Sequence, residues 1–262
     1  MAETSPDTTE NRPGGKSIPS ISMLGVKVHR IDMATTLEAI RGFIVEDGPH
    51  MIVTADASMI AMAQEDDELK SIINSADLVT PDGSGIIKGA RILGTPLIER
   101  VSGVDISRHL CRLSAEDGFS VFLLGAEPGV AELAAENLTR DYPGMHLAGT
   151  HHGYFKPDQD AEIAAKVRDS GAQVLLVAMG IPRQEKLIRA RIQEMGVSVA
   201  MGVGGSLDVF AGKVKRAPVW FQNHGLEWAY RLAKDRSKIS KVAVLPKFLM
   251  MVVKERLFGS RK

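Results

Sequence analysis

Acidic and polar side chains follow short apolar runs at several places in the chain, each beside glycines. Asp82 lies in the segment TPDGSG (80–85), between a predicted strand end and a glycine-rich turn that opens a helix. A carboxylate placed there is suited to act as a general base, since glycines let a substrate approach the backbone and amides at a helix start bind anions. The alternative is that Asp82 only caps a turn, because Pro-Asp-Gly is a common turn sequence.

Three further strand ends carry residues suited to binding. Gly125 follows a strand in VFLLGAEPG (121–129), which is similar to a nucleotide-binding turn but lacks the complete GxGxxG spacing, so an ordinary connection is the alternative. In MGIPRQE (179–185), Gln184 and Glu185 are placed to face a sugar, or else Glu185 only favours the helix start. In MGVGGSLD (201–208), the amides around Gly204 and the carboxylate of Asp208 indicate a phosphate or diphosphate contact, with close helix–strand packing as the alternative.

Potential metal ligands are present, but their spacing does not predict a metal site. Asp158 and Asp160 match the Asp-x-Asp pattern of metal-dependent sugar transfer, yet they stand at a predicted helix start, where acids are expected as caps. His151 and His152 occupy successive strand positions and so point to opposite faces. The single cysteine, Cys111, has no partner for a disulfide or a zinc site.

The elements that must position these residues alternate between short apolar runs and helical patterns, which predicts an α/β fold: a Rossmann-like, mostly parallel sheet flanked by helices. In such sheets, ligands gather beyond the carboxyl ends of the strands. Strands are predicted at 51–54, 76–80, 120–124, 146–150, 173–178 and 197–202. Helices are predicted at 58–74, 85–93, 102–116, 128–142, 158–170 and 183–195.

Charge divides the 262 residues unevenly. The chain has 32 Lys and Arg against 32 Asp and Glu, a balance that argues against a nucleic-acid-binding protein. Residues 212–262, however, carry thirteen basic and three acidic side chains, which leaves the remainder acidic. We therefore predict a disordered leader (1–20), an α/β catalytic domain (21–211) and a basic, helical C-terminal appendage (212–262). The leader lacks the apolar core of a signal peptide.

The appendage predicts association with a membrane surface. Its basic residues alternate with Trp220, Phe221, Trp228 and Tyr230, followed by an apolar run at 248–253. Basic and aromatic residues beside an apolar helix suit anionic lipid headgroups, while the longest apolar stretch, 242–253, is too short to cross a bilayer. The alternative is a solvated basic surface folded onto the acidic body. Self-association is a further prediction, since apolar tail surface needs cover when no membrane is present.

Taken in order, these segments resemble the WecG/TagA/CpsF family, glycosyltransferase family 26, over about residues 24–249. The segments that carry the resemblance are TPDGSG (80–85), RILG (91–94), ERVSGVD (99–105), LLGAEPG (123–129), GIPRQE (180–185), GVGGSLD (202–208), AGKVKRAP (211–218) and GLEW (225–228).

The resemblance implies an inverting transfer of a sugar, of the N-acetylmannosamine type or a related hexose, from a UDP-sugar to an undecaprenyl-diphosphate-linked amino sugar. The enzyme would lie in the cytoplasm at the inner face of the cell membrane and serve surface polysaccharide or teichoic acid synthesis. Asp82 would take the proton of the acceptor hydroxyl. Thr54, Arg100, Gln184 and Asp208 match positions that line the family's pocket.

In the appendage, the resemblance implies that Arg231 covers the phosphates of UDP. Arg100 and Arg231 would then stabilise the departing diphosphate, and no metal or other cofactor is expected. Asp56 stands where the family usually has Asn, so the polar contact there differs. Gly83, Gly125, Gly204 and Glu185 complete the predicted substrate contacts.

An alternative function is that of an NAD-dependent oxidoreductase on a Rossmann sheet, which the loops at Gly125 and Gly202 suggest. Both loops lack a complete dinucleotide fingerprint, and neither has an obvious acidic partner for a ribose.

Overall fold

The computed structural model describes residues 18–218, 220–221, 227, 230 and 239–259, and only the backbone of residues 239–243. The predicted phosphate contact Arg231, Trp228 and residues 1–17 of the predicted leader lie outside the described residues. Ser20, the last residue of that leader, opens the first strand. The boundaries drawn at 20 and 211 stay predictions.

Six parallel strands form the central sheet, in the order β4-β3-β8-β7-β5-β6, and a separate antiparallel hairpin joins β1 to β2. The strands are β1 Ser20–Met23, β2 Val26–His29, β3 His50–Ala55, β4 Leu78–Pro81, β5 Ser120–Gly125, β6 His146–His151, β7 Val174–Ala178 and β8 Val199–Gly202. This confirms the predicted α/β fold with a Rossmann-like parallel sheet.

Helices cover both faces of the sheet. They are α1 Met33–Val45, α2 Ala57–Met62, α3 Asp67–Ser75, α4 Ser84–Leu93, α5 Gly103–Asp117, α6 Val130–Asp141, α7 Asp160–Asp169, α8 Arg183–Met195, α9 Ser206–Phe210 and α10 Ile239–Phe258. Side chains of α1, α5, α6 and α9 pack in one apolar cluster, and those of α2, α3, α4, α7, α8 and α10 in the other. Successive residues of β7, such as Leu175 and Leu176, point into opposite clusters, which explains its continuous apolar sequence.

The structure differs from the predicted elements in two places. The helix predicted at 58–74 is two helices, α2 and α3, because the Asp66 carboxylate accepts a hydrogen bond from the Leu69 amide (2.9 Å) and so caps a new helix start. The hairpin, α1 and the short α9 were not predicted. In the hairpin, Met23 and Val26 are fully buried, although each strand has only four residues.

Helix α10 of the predicted appendage packs against α2 and α4. Phe248 and Val252 are fully buried in the same cluster as the hairpin. Gly89 of α4 leaves room for Phe248, since a Cβ there would lie 3.1 Å from the Phe248 ring. Part of the appendage therefore belongs to the core of the body. Within the described part of the chain, no helix has the length and apolarity needed to span a membrane.

Candidate active site

Asp82 directly follows β4, at the carboxyl edge of the sheet. Its amide donates a hydrogen bond to the Ala55 carbonyl (2.8 Å), which extends the pairing of β4 with β3 by one residue. The carboxylate Oδ2 accepts a hydrogen bond from the amide of Gly103 (3.1 Å), the first residue of α5. Gly83 then turns the chain into α4 with φ of +84°, a conformation that favours glycine. Asp82 therefore does not cap its own turn, and within the described residues its Oδ1 accepts no hydrogen bond.

Burial raises the pKa of Asp82 to about 6. The Gly103 amide opposes this shift, the nearby Asp56 carboxylate adds to it, and the Arg100 guanidinium opposes it. A carboxyl group with a pKa near 6 is largely ionised at neutral pH, yet it is more basic than an ordinary aspartate. These are the properties that a general base needs.

Arg100 lies beside Asp82 in a network of alternating charges. Its guanidinium contacts the carboxylates of Glu227 (3.1 Å) and Asp105 (3.6 Å). Asp105 in turn accepts two hydrogen bonds from Arg216 (2.5 and 2.7 Å). Arg216 and Glu227 belong to the predicted appendage, so residues from this segment reach the site. Neither was predicted there, and a gap of 111 residues separates Arg216 from Asp105.

At the end of β3, Thr54 and Asp56 both make structural contacts. The buried Thr54 hydroxyl donates to the Gly202 carbonyl (3.0 Å) and so links β3 to β8. Asp56 caps α2 by accepting a hydrogen bond from the Met59 amide (2.7 Å). Strand β3 pairs with β4, which Asp82 directly follows, and contact of Thr54 or Asp56 with a substrate stays a prediction.

Gln184 joins two strand-end loops at the start of α8. Its Oε1 accepts hydrogen bonds from the amides of Gly180 (3.2 Å), after β7, and Gly204 (3.1 Å), after β8. Its Nε2 donates to Glu185 (2.6 Å). Both side chains are 1% exposed, so they hold the loops from beneath. Contact of Gln184 and Glu185 with a sugar stays a prediction.

Glu185 is an unusual buried carboxyl group. Burial raises its pKa to about 7, against the hydrogen bond from Gln184. Its Oε2 has no hydrogen-bond partner within the described residues. The pair fills the space beside Gly202, where a Cβ would lie 2.5 Å from Gln184 Nε2 and 2.9 Å from Glu185 Oε1. Close packing therefore favours a glycine at this position of β8, which agrees with the alternative that the sequence left open for this loop.

A cleft of about 860 Å³ lies beyond the ends of β5, β7 and β8. Gly204, Asp208 and Gly180 line it on one side, and Ala126 and Glu127 on the other. The chain leaves β5 toward α6 and β7 toward α8, which lie on opposite faces of the sheet, so the cleft forms where the connections diverge. This is where open α/β sheets bind their ligands.

Gly125 supports this cleft without lining it. It has φ of +136°, and a Cβ there would lie 2.3 Å from the Ala178 carbonyl oxygen. Only glycine therefore allows β5 to pass β7 at this distance. The predicted residues fall into three groups. Toward the β4 edge of the sheet lie Asp82, Arg100, Thr54 and Asp56. Gly204 and Asp208 line the cleft, and Gln184 and Glu185 lie beneath the loops that follow β7 and β8.

The two aspartates of the Asp-x-Asp pattern lie in different surroundings. Asp160 forms a bidentate ion pair with Arg183, while Asp158 is exposed in a short 3-10 turn. In the part of the chain that the structure describes, no three His, Cys, Asp or Glu side chains are grouped as a metal site would require.

The loop after β6 was missed as part of the site. Gly153, Tyr154, Phe155 and Lys156 line the cleft. In this segment only the neighbouring His151 and His152 were weighed, as potential metal ligands. The usable signal was the aromatic pair Tyr154 and Phe155, which begins three positions after β6 ends at His151, in the loop where parallel sheets place ligand contacts.

Comparisons with known proteins identify the family of this chain. The model of the glycosyl transferase WecG/TagA/CpsF family matches residues 21–262. A protein of Bacillus spizizenii, named N-acetylglucosaminyldiphosphoundecaprenol N-acetyl-beta-D-mannosaminyltransferase, is 35% identical over 203 residues, which cover 78% of each chain. A protein of the same name from Staphylococcus aureus is 32% identical over 238 residues, covering 90% of this chain and 93% of its own. The chain therefore belongs to the WecG/TagA/CpsF family and is a glycosyltransferase, not the oxidoreductase that was its alternative.

Proposed function

We propose that this enzyme transfers an N-acetylmannosamine-type sugar from a UDP-sugar to an N-acetylglucosamine carried on undecaprenyl diphosphate, with inversion at the anomeric carbon. Both named relatives carry this sugar and this acceptor in their names. The observation that carries the proposal is Asp82, a half-buried residue at the carboxyl edge of the sheet, where burial raises the pKa of its carboxyl group to about 6. The product would enter cell-wall polysaccharide synthesis.

In this mechanism Asp82 accepts the proton of the acceptor hydroxyl. The hydroxyl oxygen forms its bond to the anomeric carbon as the bond from that carbon to the diphosphate oxygen breaks. UDP leaves with the electron pair of the broken bond. A single displacement needs one base, and Asp82 fits this requirement because its Oδ1 accepts no hydrogen bond within the described residues.

The departing diphosphate needs positive charge. Arg100 lies near Asp82, and its contacts with Glu227 and Asp105 fix its orientation. We assign to Arg100, together with Arg231, the stabilisation of the diphosphate as negative charge develops on it. Two arginines fulfil this role without a metal, so we propose that the reaction is metal-independent.

The acceptor places the enzyme at a membrane surface, and α10 supplies a suitable contact. The buried side of this helix packs on the body, while Met250, Val253, Leu257 and Phe258 are exposed. Exposed apolar side chains beside lysines and arginines fit the interface of an anionic bilayer. We propose peripheral association with the inner face of the cell membrane. When no membrane is present, the alternative is that copies of the protein associate with one another through the same exposed side chains.

The base assignment is tested by Asp82→Asn in the full chain, assayed with a UDP-sugar and a synthetic polyprenyl-diphosphate acceptor. We expect transfer to fall by about 100- to 10,000-fold, the usual contribution of a general base, while affinity for UDP changes little. Asp141→Asn, the same change at an exposed site at the end of α6, is the control. Normal turnover in Asp82→Asn would refute the assignment.

The donor class is tested separately by thermal stabilisation with UDP, ADP or NAD, each in EDTA and with manganese. Stabilisation by UDP in EDTA supports a UDP-sugar donor and a metal-independent reaction. A response to UDP only with manganese contradicts metal independence, and a response to NAD alone contradicts the donor.

A further inference from the structure

Asp105 lies in the first turn of α5, two residues after the amide that binds the proposed base. That amide belongs to Gly103 and donates to Asp82 (3.1 Å). Just before the helix, the Val101 amide donates to the Pro81 carbonyl (2.9 Å) at the end of β4. The start of α5 is therefore fastened to the carboxyl end of β4, and the charge of Asp105 is held at a fixed place beside the site.

The carboxylate of Asp105 is engaged by two residues other than Arg100. Arg216 donates one hydrogen bond to each of its oxygens (2.5 and 2.7 Å), and the Ser102 hydroxyl donates to Oδ2 (2.5 Å). The side chain of Arg216 is 12% exposed, so the pair is partly shielded from solvent. Burial by itself would raise the pKa of Asp105, but the bonds from Arg216 and Ser102 hold this pKa below its usual value. Asp105 therefore stays ionised, and Arg216 balances its charge.

Arg100 stands next in this row of charges, between the carboxylates of Asp105 and Glu227. Its Nη1 donates to Glu227 (3.1 Å), but its Nη2 lies 3.6 Å from Asp105 Oδ2, which is beyond hydrogen-bond distance. Two guanidinium groups thus contact one carboxylate, and Arg216 holds the two-bond geometry that such pairs favour. Because Arg216 occupies Asp105, Arg100 is not drawn into a two-bond pair of its own with this carboxylate.

Arg216 reaches Asp105 from the segment that follows α9. In this segment the Val214 amide donates to the Asp208 carbonyl (3.1 Å), and Asp208 lines the cleft. The segment is therefore anchored beside the cleft at one end and on α5 at the other. The pair of Arg216 with Asp105 joins the side of the site that holds the cleft to the side that holds Asp82.

We propose that Arg216 is a positioning residue: by occupying the Asp105 carboxylate, it keeps Arg100 directed at the departing diphosphate. Without Arg216, Asp105 would keep Arg100 as the other cation that contacts it in the described part of the chain. A two-bond pair between them would then turn Arg100 away from the substrate. The inference rests on the proposed function, because it takes Arg100 to stabilise the diphosphate. It adds a residue of the predicted appendage that controls Arg100 without touching the substrate.

The test is a set of double variants in the full chain, with kcat/KM for transfer and equilibrium binding of inorganic diphosphate measured for each. For Arg216→Gln we expect kcat/KM to fall about 10- to 100-fold, since misplacing a group by about 1 Å can cost about 100-fold. Diphosphate should also bind more weakly. Adding Asp105→Asn removes the competing charge and is expected to restore most of both losses. Adding Arg100→Ala instead should give a variant no worse than Arg100→Ala alone, because Arg216 acts through Arg100.

The control is Arg41→Gln, which breaks another two-bond pair at the far end of α5, with Asp117, and is expected to leave both readouts unchanged. If Arg216 only supports the fold, Asp105→Asn does not restore the losses, and the effect of Arg216→Gln multiplies with that of Arg100→Ala. Either result refutes the inference. If Arg216→Gln does not fold, the same set is built on Arg216→Lys, which keeps the charge but not the two parallel bonds, and the same criteria apply.

The outcomes separate this inference from the proposed function. If the unchanged protein transfers the sugar and Arg216→Gln transfers it equally well, the inference fails and the proposed function stands. If the unchanged protein shows no transfer but binds diphosphate, and binding follows the expected pattern across the variants, the control of Arg100 by Arg216 stands and the proposed reaction fails. Without transfer, and without diphosphate binding that follows this pattern, both fail.

Discussion

At the scale of single residues, two carboxyl groups with raised pKa values serve different purposes. Asp82 is partly exposed and has a carboxylate oxygen that accepts no hydrogen bond within the described residues. Glu185 is 1% exposed and is bonded to Gln184 beneath the loops. Of these two carboxyl groups we assign the proposed proton transfer to Asp82, because Glu185 is buried. Glu185 instead orients the amide that holds the loops after β7 and β8.

The pKa of Asp82 predicts how transfer depends on pH. A general base must be ionised, so kcat/KM should rise with pH and level off above about 6, where the raised pKa lies. The measurement is initial rates at subsaturating acceptor between mildly acidic and mildly basic pH. A rate that stays constant on both sides of pH 6, while chemistry limits turnover, would contradict the role of Asp82.

At the scale of elements, α10 joins the predicted appendage to the body through a groove on α4. Gly85 and Gly89 lie one turn apart on α4, and a Cβ at either would meet Leu245 or Phe248 at 2.8 to 3.1 Å. The Glu255 carboxylate also accepts a hydrogen bond from the Leu24 amide (2.9 Å) in the hairpin. Helix α4 begins just after Asp82, so α10 packs on the helix that follows the proposed base.

This packing predicts that Phe248→Ala destabilises the whole protein. Removing a fully buried phenylalanine leaves a cavity, with an expected loss of about 3–5 kcal/mol in the free energy of unfolding. Denaturant unfolding measures the change, and Phe258→Ala, on the 76%-exposed side chain of the same helix, is the matched control. Equal stability of the two variants would show that α10 does not pack on α4 in solution.

At the scale of the whole molecule, an acidic body carries a basic segment whose last helix has one face in the core and apolar side chains in solvent. Deleting residues 212–262 would remove Phe248 and Val252 from the core, so truncation cannot separate membrane association from folding. Substitutions on the exposed side chains separate the two effects.

The double variant Leu257→Ser with Phe258→Ser is expected to bind anionic vesicles more weakly while its unfolding free energy stays close to that of the unchanged protein. Both side chains are mostly exposed, 68% and 76%, so little core packing is lost. Co-sedimentation with vesicles at low and high salt measures the effect, and Val45→Ser, exposed on α1, is the control. Unchanged vesicle binding would indicate that another surface meets the membrane.

The amino-acid sequence was enough to predict the fold class and the edge of the sheet where the candidate site lies. Apolar runs alternating with helical patterns require parallel strands, and parallel strands end at one edge, so Asp82, Gly125, Gln184 and Asp208 were found by their positions after strands. The hairpin was not found because its two strands of four residues are stabilised by contacts with α4 and β4.

The contacts that individual side chains make became visible only once the elements were packed together. Gln184 turned out to hold loops from beneath, Arg216 to pair with Asp105, and Phe248 to enter the core, while Tyr154 stands open at the cleft. Each of these outcomes depends on neighbours far away in the chain, or on their absence. Local sequence sets the backbone pattern of an element, but burial and pairing of a side chain are set by the surfaces that meet when the elements pack.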